Sequence, residues 1–252
     1  MDNFKKVELL DIHIHDLSMN EVMDAVVSWC HENNSHIHHI ITADAFMVST
    51  ACDDLSLREI INNASMVTPD SSGVLLASKI YGHPIKNKAS GCEIAENICR
   101  ISGEKNINIF FLGAKQEIVE SAINNMKEKY NDIKIAGYHH GFFKDSDNPK
   151  ICQLIKDSNA QILFVAMGIP KQEFWIKDNL KETGCKVAIG IGGTFDVMSG
   201  NITRAPKIYQ KLYLEWLYRY FQDPSKSYKL KKLPSFFIKV LRRKKAKIDD
   251  KK

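Results

Sequence analysis

The chain has 252 residues, 44% apolar and 26% charged, the make-up of an ordinary soluble protein with room for one sizeable α/β domain and an appendage. No apolar run approaches the roughly 20 residues that span a bilayer, and residues 1–6 lack the apolar core of a signal peptide, so a cytoplasmic protein is expected. The net charge of +5 gathers at one end: residues 225–252 hold twelve Lys or Arg against two Asp, leaving the remainder net acidic.

In chain order, apolar β-type runs fall at 7–14, 37–42, 64–68, 107–112, 133–138, 161–167 and 186–191, with helical patterns between them. Ser18-Met-Asn-Glu21 reads as a capping box that opens an amphipathic helix reaching about Asn33. Ile107–Leu112 and Ile162–Met167 are almost continuously apolar, as strands buried on both faces are. The alternation predicts a Rossmann-like α/β fold, a mainly parallel sheet with helices on both faces. From Lys207 the pattern changes to a Tyr-, Leu- and Trp-rich helix ending near Gln222, then Asp-Pro and the basic tail.

The expected division is therefore an α/β core over 1–205 and a basic, amphipathic helical appendage over 206–252. In the appendage Leu233, Phe236, Phe237, Ile238, Val240 and Leu241 are interleaved with lysines and arginines. That mixture favours an anionic membrane surface as partner, at the inner face of the cell membrane, over nucleic acid. The six cysteines are scattered without a Cys-x-x-Cys pair, which argues for reduced structural thiols.

Open α/β sheets bind ligands beyond the carboxyl ends of their strands. The polar and glycine positions there are Thr42, Asp44, Asp70, Gly113, Gln172, Gly192, Gly193 and Thr194. Asp70 follows a strand and precedes Ser71-Ser72-Gly73, so it can cap a helix or act as a general base, and both readings stay open. Gly190-Ile-Gly-Gly193 would let a phosphate approach the backbone, yet Phe195 stands where a dinucleotide fingerprint needs glycine and no Walker sequence exists. No cofactor is expected. His13 and His15, with His36, His38, His39, His139 and His140, raise the alternative of a metal-dependent hydrolase, but the spacing supplies no further ligands, and His139 and His140 point apart on a regular strand. No metal is expected. A non-catalytic membrane-binding module is the third reading.

The ordered blocks then resemble the WecG/TagA/CpsF family, glycosyltransferase family 26, over about residues 7–242. They are Thr42-Ala-Asp44, Thr68-Pro-Asp70, Phe111-Leu-Gly113, Gly137-Tyr-His-His-Gly-Phe-Phe143, Met167-Gly-Ile-Pro-Lys-Gln-Glu-Phe-Trp175, Gly190-Ile-Gly-Gly-Thr-Phe-Asp196, Arg204-Ala-Pro206 and Leu214-Glu-Trp-Leu-Tyr-Arg219. The resemblance implies an inverting, metal-independent transfer of a sugar, typically N-acetylmannosamine, from a UDP-sugar donor. Its acceptor would be a polyprenyl-diphosphate-linked N-acetylglucosamine, in cell-surface polysaccharide or teichoic acid linkage-unit synthesis.

Carried over, Asp70 would deprotonate the acceptor hydroxyl, and Thr42 and Gln172 would position the donor sugar and the reacting centre. The glycine turns at Gly113, Gly192 and Gly193, with Asp196, would hold UDP. Arg219, Lys226 and Lys229 would approach the diphosphate, two of them as point-charge lysines without the bidentate fork of arginine. The chain departs from the family pattern at Asp44, where asparagine is usual, at Lys88 in the usual Arg-x-x-Gly block, and at Ser71, where glycine is common.

Overall fold

The first apolar run, expected as one strand, is a hairpin. Lys6–Leu9 (β1) and Ile12–His15 (β2) pair antiparallel, because Leu10 and Asp11 both take positive φ, 55° and 63°, as a two-residue turn of the tight hairpin type requires. Leucine is an unusual residue in that conformation, so its side chain gave no turn signal. The computed structural model describes residues 4–203, 206, 209, 218 and 228–249, with side chains in the last segment from 232 to 244.

The other strands form one parallel sheet, as expected. They are His38–Ala43 (β3), Met66–Pro69 (β4), Ile109–Gly113 (β5), Ile135–His139 (β6), Ile162–Ala166 (β7) and Val187–Gly190 (β8), in the order β4-β3-β8-β7-β5-β6. Every residue of β5 and β7 is buried, whereas the edge strand β6 is only half-buried. The connecting helices are Met19–Cys30 (α1), Ala45–Ala51 (α2), Leu55–Asn63 (α3), Ser72–Tyr81 (α4), Gly91–Ile101 (α5), Gln116–Lys129 (α6), Asn148–Asp157 (α7), Lys171–Thr183 (α8) and Thr194–Met198 (α9). The Ser18–Glu21 capping box forms as read, though α1 stops at Cys30.

Strand side chains alternate between faces, and the core divides accordingly. Ile40, Ile109, Phe111, Ile162, Phe164 and Ile189 meet α1, α5, α6 and α9 on one face. On the other, Phe110, Leu112, Leu163, Val165 and Ala188 meet α7 and α8, while Ile41, Ala43 and Val67 meet the hairpin, α2, α3 and α4.

The last described helix, Tyr228–Asp249 (α10), joins that second face and packs on α2 and α4. Phe236 and Val240 are fully buried there, and Leu233 and Phe237 pack against the same cluster. Burying Phe236 and Val240 contributes roughly 1.5–3 kcal/mol each. Lys239 Nζ donates to Asp53 at 2.7 Å and to the Ser49 carbonyl at 3.0 Å, and Arg243 Nη2 donates to Asp11 at 2.7 Å. Much of the apolar content first read as membrane-facing therefore belongs to the core, because α10 turns that stripe inward. Ile238 and Leu241 remain exposed among the charges. No helix among the described residues is long and apolar enough to cross a membrane.

Candidate active site

The chain runs from β3 to the β4 edge, crosses to β5 and β6, and returns through β7 to β8 beside β3. Loops of the two halves part between β3 and β8, and such a switch point leaves a crevice at the strand ends. There Thr42, Asp44, Asp70, Gln172, Gly192 and Gly193 line a single cleft, together with Cys92, Ile169, Ile191, Thr194 and Val197. Seven residues singled out from sequence, Thr194 among them, thus converge from four strands.

Asp70 lies just past β4 and does not cap the helix it precedes: Ser71 caps α4, its hydroxyl oxygen accepting from the Val74 amide. The Asp70 backbone N–H donates to the Ala43 carbonyl at 3.0 Å, and Oδ1 accepts from the Gly91 N–H at 2.7 Å. The carboxylate is thereby aimed by both β3 and the first turn of α5. Gly91 permits the approach, since a Cβ there would stand 3.0 Å from Thr42 Oγ1.

Asp44 is the residue that caps a helix, accepting from the Met47 N–H at 2.7 Å while lining the cleft. The Thr42 hydroxyl donates to the Gly190 carbonyl at 2.8 Å and ties the end of β3 to that of β8. Gln172, 1% exposed, braces two loops. Its Oε1 accepts from the Gly168 N–H at 3.2 Å and the Gly192 N–H at 3.1 Å, and its Nε2 donates to Glu173 Oε1 at 2.8 Å. The Gly192 amide, which the sequence reading offers to a phosphate, is thus given to Gln172, while its φ of 53° keeps the glycine requirement. Asp196, in the first turn of α9, brings Oδ2 to within 3.5 Å of where a Gly193 Cβ would stand.

Not every expected residue meets in this cleft. Lys88 lies on the loop before α5, beside Ala89, whose N–H donates to the Pro69 carbonyl, and it is not among the cleft's lining residues. Gly113 ends β5, next to Ala114 in a separate, larger cavity of about 580 Å3. Sequence reasoning gave no site role to other residues of that cavity, among them Phe142, Lys144 and Lys171, although Phe142 and Lys171 stand within the family blocks. The signal for Phe142 and Lys144 was the Gly141-Phe-Phe-Lys144 run just past the strand that ends at His139, and for Lys171 its place at the start of α8 after β7. Arg219 and Lys226 lie outside the described residues, as does the Lys229 side chain.

Several of the histidines have structural partners. The His15 Nδ1 accepts from the Val67 N–H at 2.9 Å, and burial with nearby Lys6 pushes its pKa down to about 4. His38 stacks on Trp29 at 4.2 Å, and His13 is exposed. His139 and His140 stand closer than alternation allows, with ring centroids 4.4 Å apart, because β6 ends at His139. Among the described residues no group of three or more His, Cys, Asp or Glu is placed to hold a metal ion.

Comparison with known proteins gives the same direction. The family described as Glycosyl transferase WecG/TagA/CpsF matches residues 7–250. The N-acetylglucosaminyldiphosphoundecaprenol N-acetyl-beta-D-mannosaminyltransferase of Staphylococcus aureus strain MW2 is 31% identical over 242 residues, covering 96% of this chain and 94% of that protein. Enzymes of the same name from strains NCTC 8325 / PS 47 and MRSA252 are 31% and 30% identical over the same lengths.

Proposed function

The chain belongs to the WecG/TagA/CpsF glycosyltransferase family, and from that premise we propose that it moves N-acetylmannosamine from a UDP-sugar to a polyprenyl-diphosphate-linked N-acetylglucosamine. The relatives' name supports the acceptor and the transferred sugar. The observation that carries the chemistry is Asp70, a carboxylate aimed into the strand-end crevice by the Gly91 amide.

In this reading Asp70 takes the proton of the acceptor hydroxyl as that oxygen attacks the anomeric carbon of the donor. The new C–O bond forms as the bond to the diphosphate breaks on the opposite side, so the configuration inverts and UDP leaves with its electron pair. Thr42 and Gln172 hold the loops that border the reacting centre, with Asp44, Gly192, Gly193 and Asp196 beside the donor. Arg219, Lys226 and Lys229 neutralise the diphosphates without a metal, by charge-assisted contacts. Lys88 contributes a further cation near α5, and Gly113 opens the donor side.

The acceptor is lipid-linked, so the enzyme works at the inner face of the cell membrane, and the exposed Ile238 and Leu241 among the basic residues of α10 suit an anionic surface. The test is incubation with a panel of UDP-sugars and a short-chain lipid diphosphate acceptor, followed by product masses. A product heavier than the acceptor by one N-acetylhexosamine, formed from the manno donor, is expected. No product from any UDP-sugar would overturn the reading.

A further inference from the structure

Glu173 is fully buried and is not among the residues that line the cleft, yet its side chain meets the one that braces it. Its Oε1 accepts from Gln172 Nε2 at 2.8 Å. The two residues are neighbours in the first turn of α8, and their heads meet over the end of β8. Gly190 makes the room: a Cβ there would stand 2.6 Å from Gln172 Nε2 and 3.0 Å from Glu173 Oε1. The backbone beneath is tied as well, since the Gln172 N–H donates to the Gly168 carbonyl at 3.0 Å and the Glu173 N–H to the Pro170 carbonyl at 3.1 Å.

An amide head has two unlike ends, and here the neighbours dictate both. Gly168 and Gly192 present backbone N–H groups, which can only donate, so the end that faces them must be the carbonyl oxygen. Both loops depend on that one oxygen. The other end then carries its N–H donors into a closed interior, where a donor left without an acceptor costs more than a hydrogen bond contributes. An ionised carboxylate offers acceptors and no donor. Glu173 therefore admits one orientation of the Gln172 amide, the one that holds both loops.

Packing alone does not call for an acid at this position. Burying a carboxylate costs free energy that an apolar side chain of similar volume would not. What the acid adds is direction, and the segments it directs border the crevice: Gly192 lines it, and the Gly190 carbonyl beside it takes the Thr42 hydroxyl at 2.8 Å.

We propose that Glu173 is a positioning residue of the sugar transfer, acting through Gln172: it sets the amide that holds the 168–172 and 190–193 segments on either side of the reacting centre. This role rests on the transferase reading above, which makes those two segments borders of the reaction.

The test compares Glu173→Met, which removes the acceptor, with Glu173→Gln, which keeps one, by steady-state kinetics and residue-resolved hydrogen exchange. Glu173→Met is expected to lower kcat about tenfold or more, the worth of one hydrogen bond to a charged group, and to lower kcat more than it raises KM. Exchange at the Gly168 and Gly192 amides should quicken by about the same factor while the amides of β5 and β7 keep their wild-type rates. Glu173→Gln can turn its carbonyl oxygen to Gln172 Nε2, so kcat should stay near that of the wild type with both glycine amides protected. A merely structural role predicts exchange quickened across the whole sheet and a wild-type kcat per folded molecule. Either result in Glu173→Met would overturn the proposal, as would an equal loss of kcat in Glu173→Gln. Should Glu173→Met fail to fold, Gly190→Ala parts the same pair with Glu173 in place, by pressing on Gln172 Nε2. Selective exchange at the two glycines with a lowered kcat would then support the proposal, and wild-type values of both would overturn it. If the wild type transfers no sugar at all, the transferase reading falls with this role in catalysis, and the exchange rates alone decide whether Glu173 orients Gln172.

Discussion

Replacing Gln172 by alanine tests whether the crevice is held by one buried side chain. The substitution removes the acceptor of two loop amides, Gly168 and Gly192, and deprives Glu173 Oε1 of its 2.8 Å donor, at a site 1% exposed. A neutral hydrogen bond contributes about 1 kcal/mol net and one to a charged group about 1.5–3 kcal/mol. Because the two amides border the cleft, water can partly replace their acceptor, so the loss of stability should be about 3–4 kcal/mol. Urea unfolding should show the midpoint falling with the slope unchanged. Turnover should fall more than tenfold, since the freed 168–172 and 190–193 segments both border the reacting centre. Gln172→Glu keeps the shape but sets two carboxylates side by side, and should do at least as much damage. A loss below about 1 kcal/mol with wild-type turnover would refute the bracing role.

Acid should weaken the fold before the carboxylates titrate. Burial pushes His15 down to about 4 and His39 down to about 3, against 6.5 in the unfolded chain. The neutral rings stabilise the fold fully above pH 6.5, and that contribution is lost as pH falls toward 4 and then 3, about 2 kcal/mol for each ring by pH 5. A urea midpoint that is flat between pH 8 and pH 5 would contradict this. Phe236→Ala should cost about 3–5 kcal/mol, since the ring is fully buried between α10 and the core, and thermal unfolding would detect it; a free-standing α10 predicts almost no change. Activity should persist in excess EDTA without added magnesium, and a loss restored by a divalent ion would return the histidines to consideration.

The sheet and the convergence of the site were legible for one reason: both follow from local pattern and strand order. Continuous apolar runs marked β5 and β7, and the polar residues directly after the strands, Thr42, Asp44, Asp70, Gln172, Gly192 and Gly193, meet in one cleft. Hydrogen-bond roles were not legible, because they depend on neighbours distant in sequence. Gln172 and Gly192 are 20 positions apart, and Thr42 and Gly190 are 148 apart. The turn at Leu10 and Asp11 carries no turn-forming side chain at its first position. The stripe of α10 pointed to an apolar partner but not to which one, and the core claimed Phe236 and Val240. The cavity over β5 and β7 needed the close packing at Gly113 and Gly141, which no periodicity reports.

The central claim is that Asp70, fixed by the Gly91 amide, is the base of a sugar transfer. Asp70→Asn preserves the shape and can keep the carbonyl oxygen on that amide, but removes the capacity to take a proton. Turnover with UDP-N-acetylmannosamine and a soluble lipid diphosphate acceptor should fall about a hundredfold or more, with thermal stability and UDP affinity unchanged. Turnover near that of the wild type in the folded variant would contradict the account.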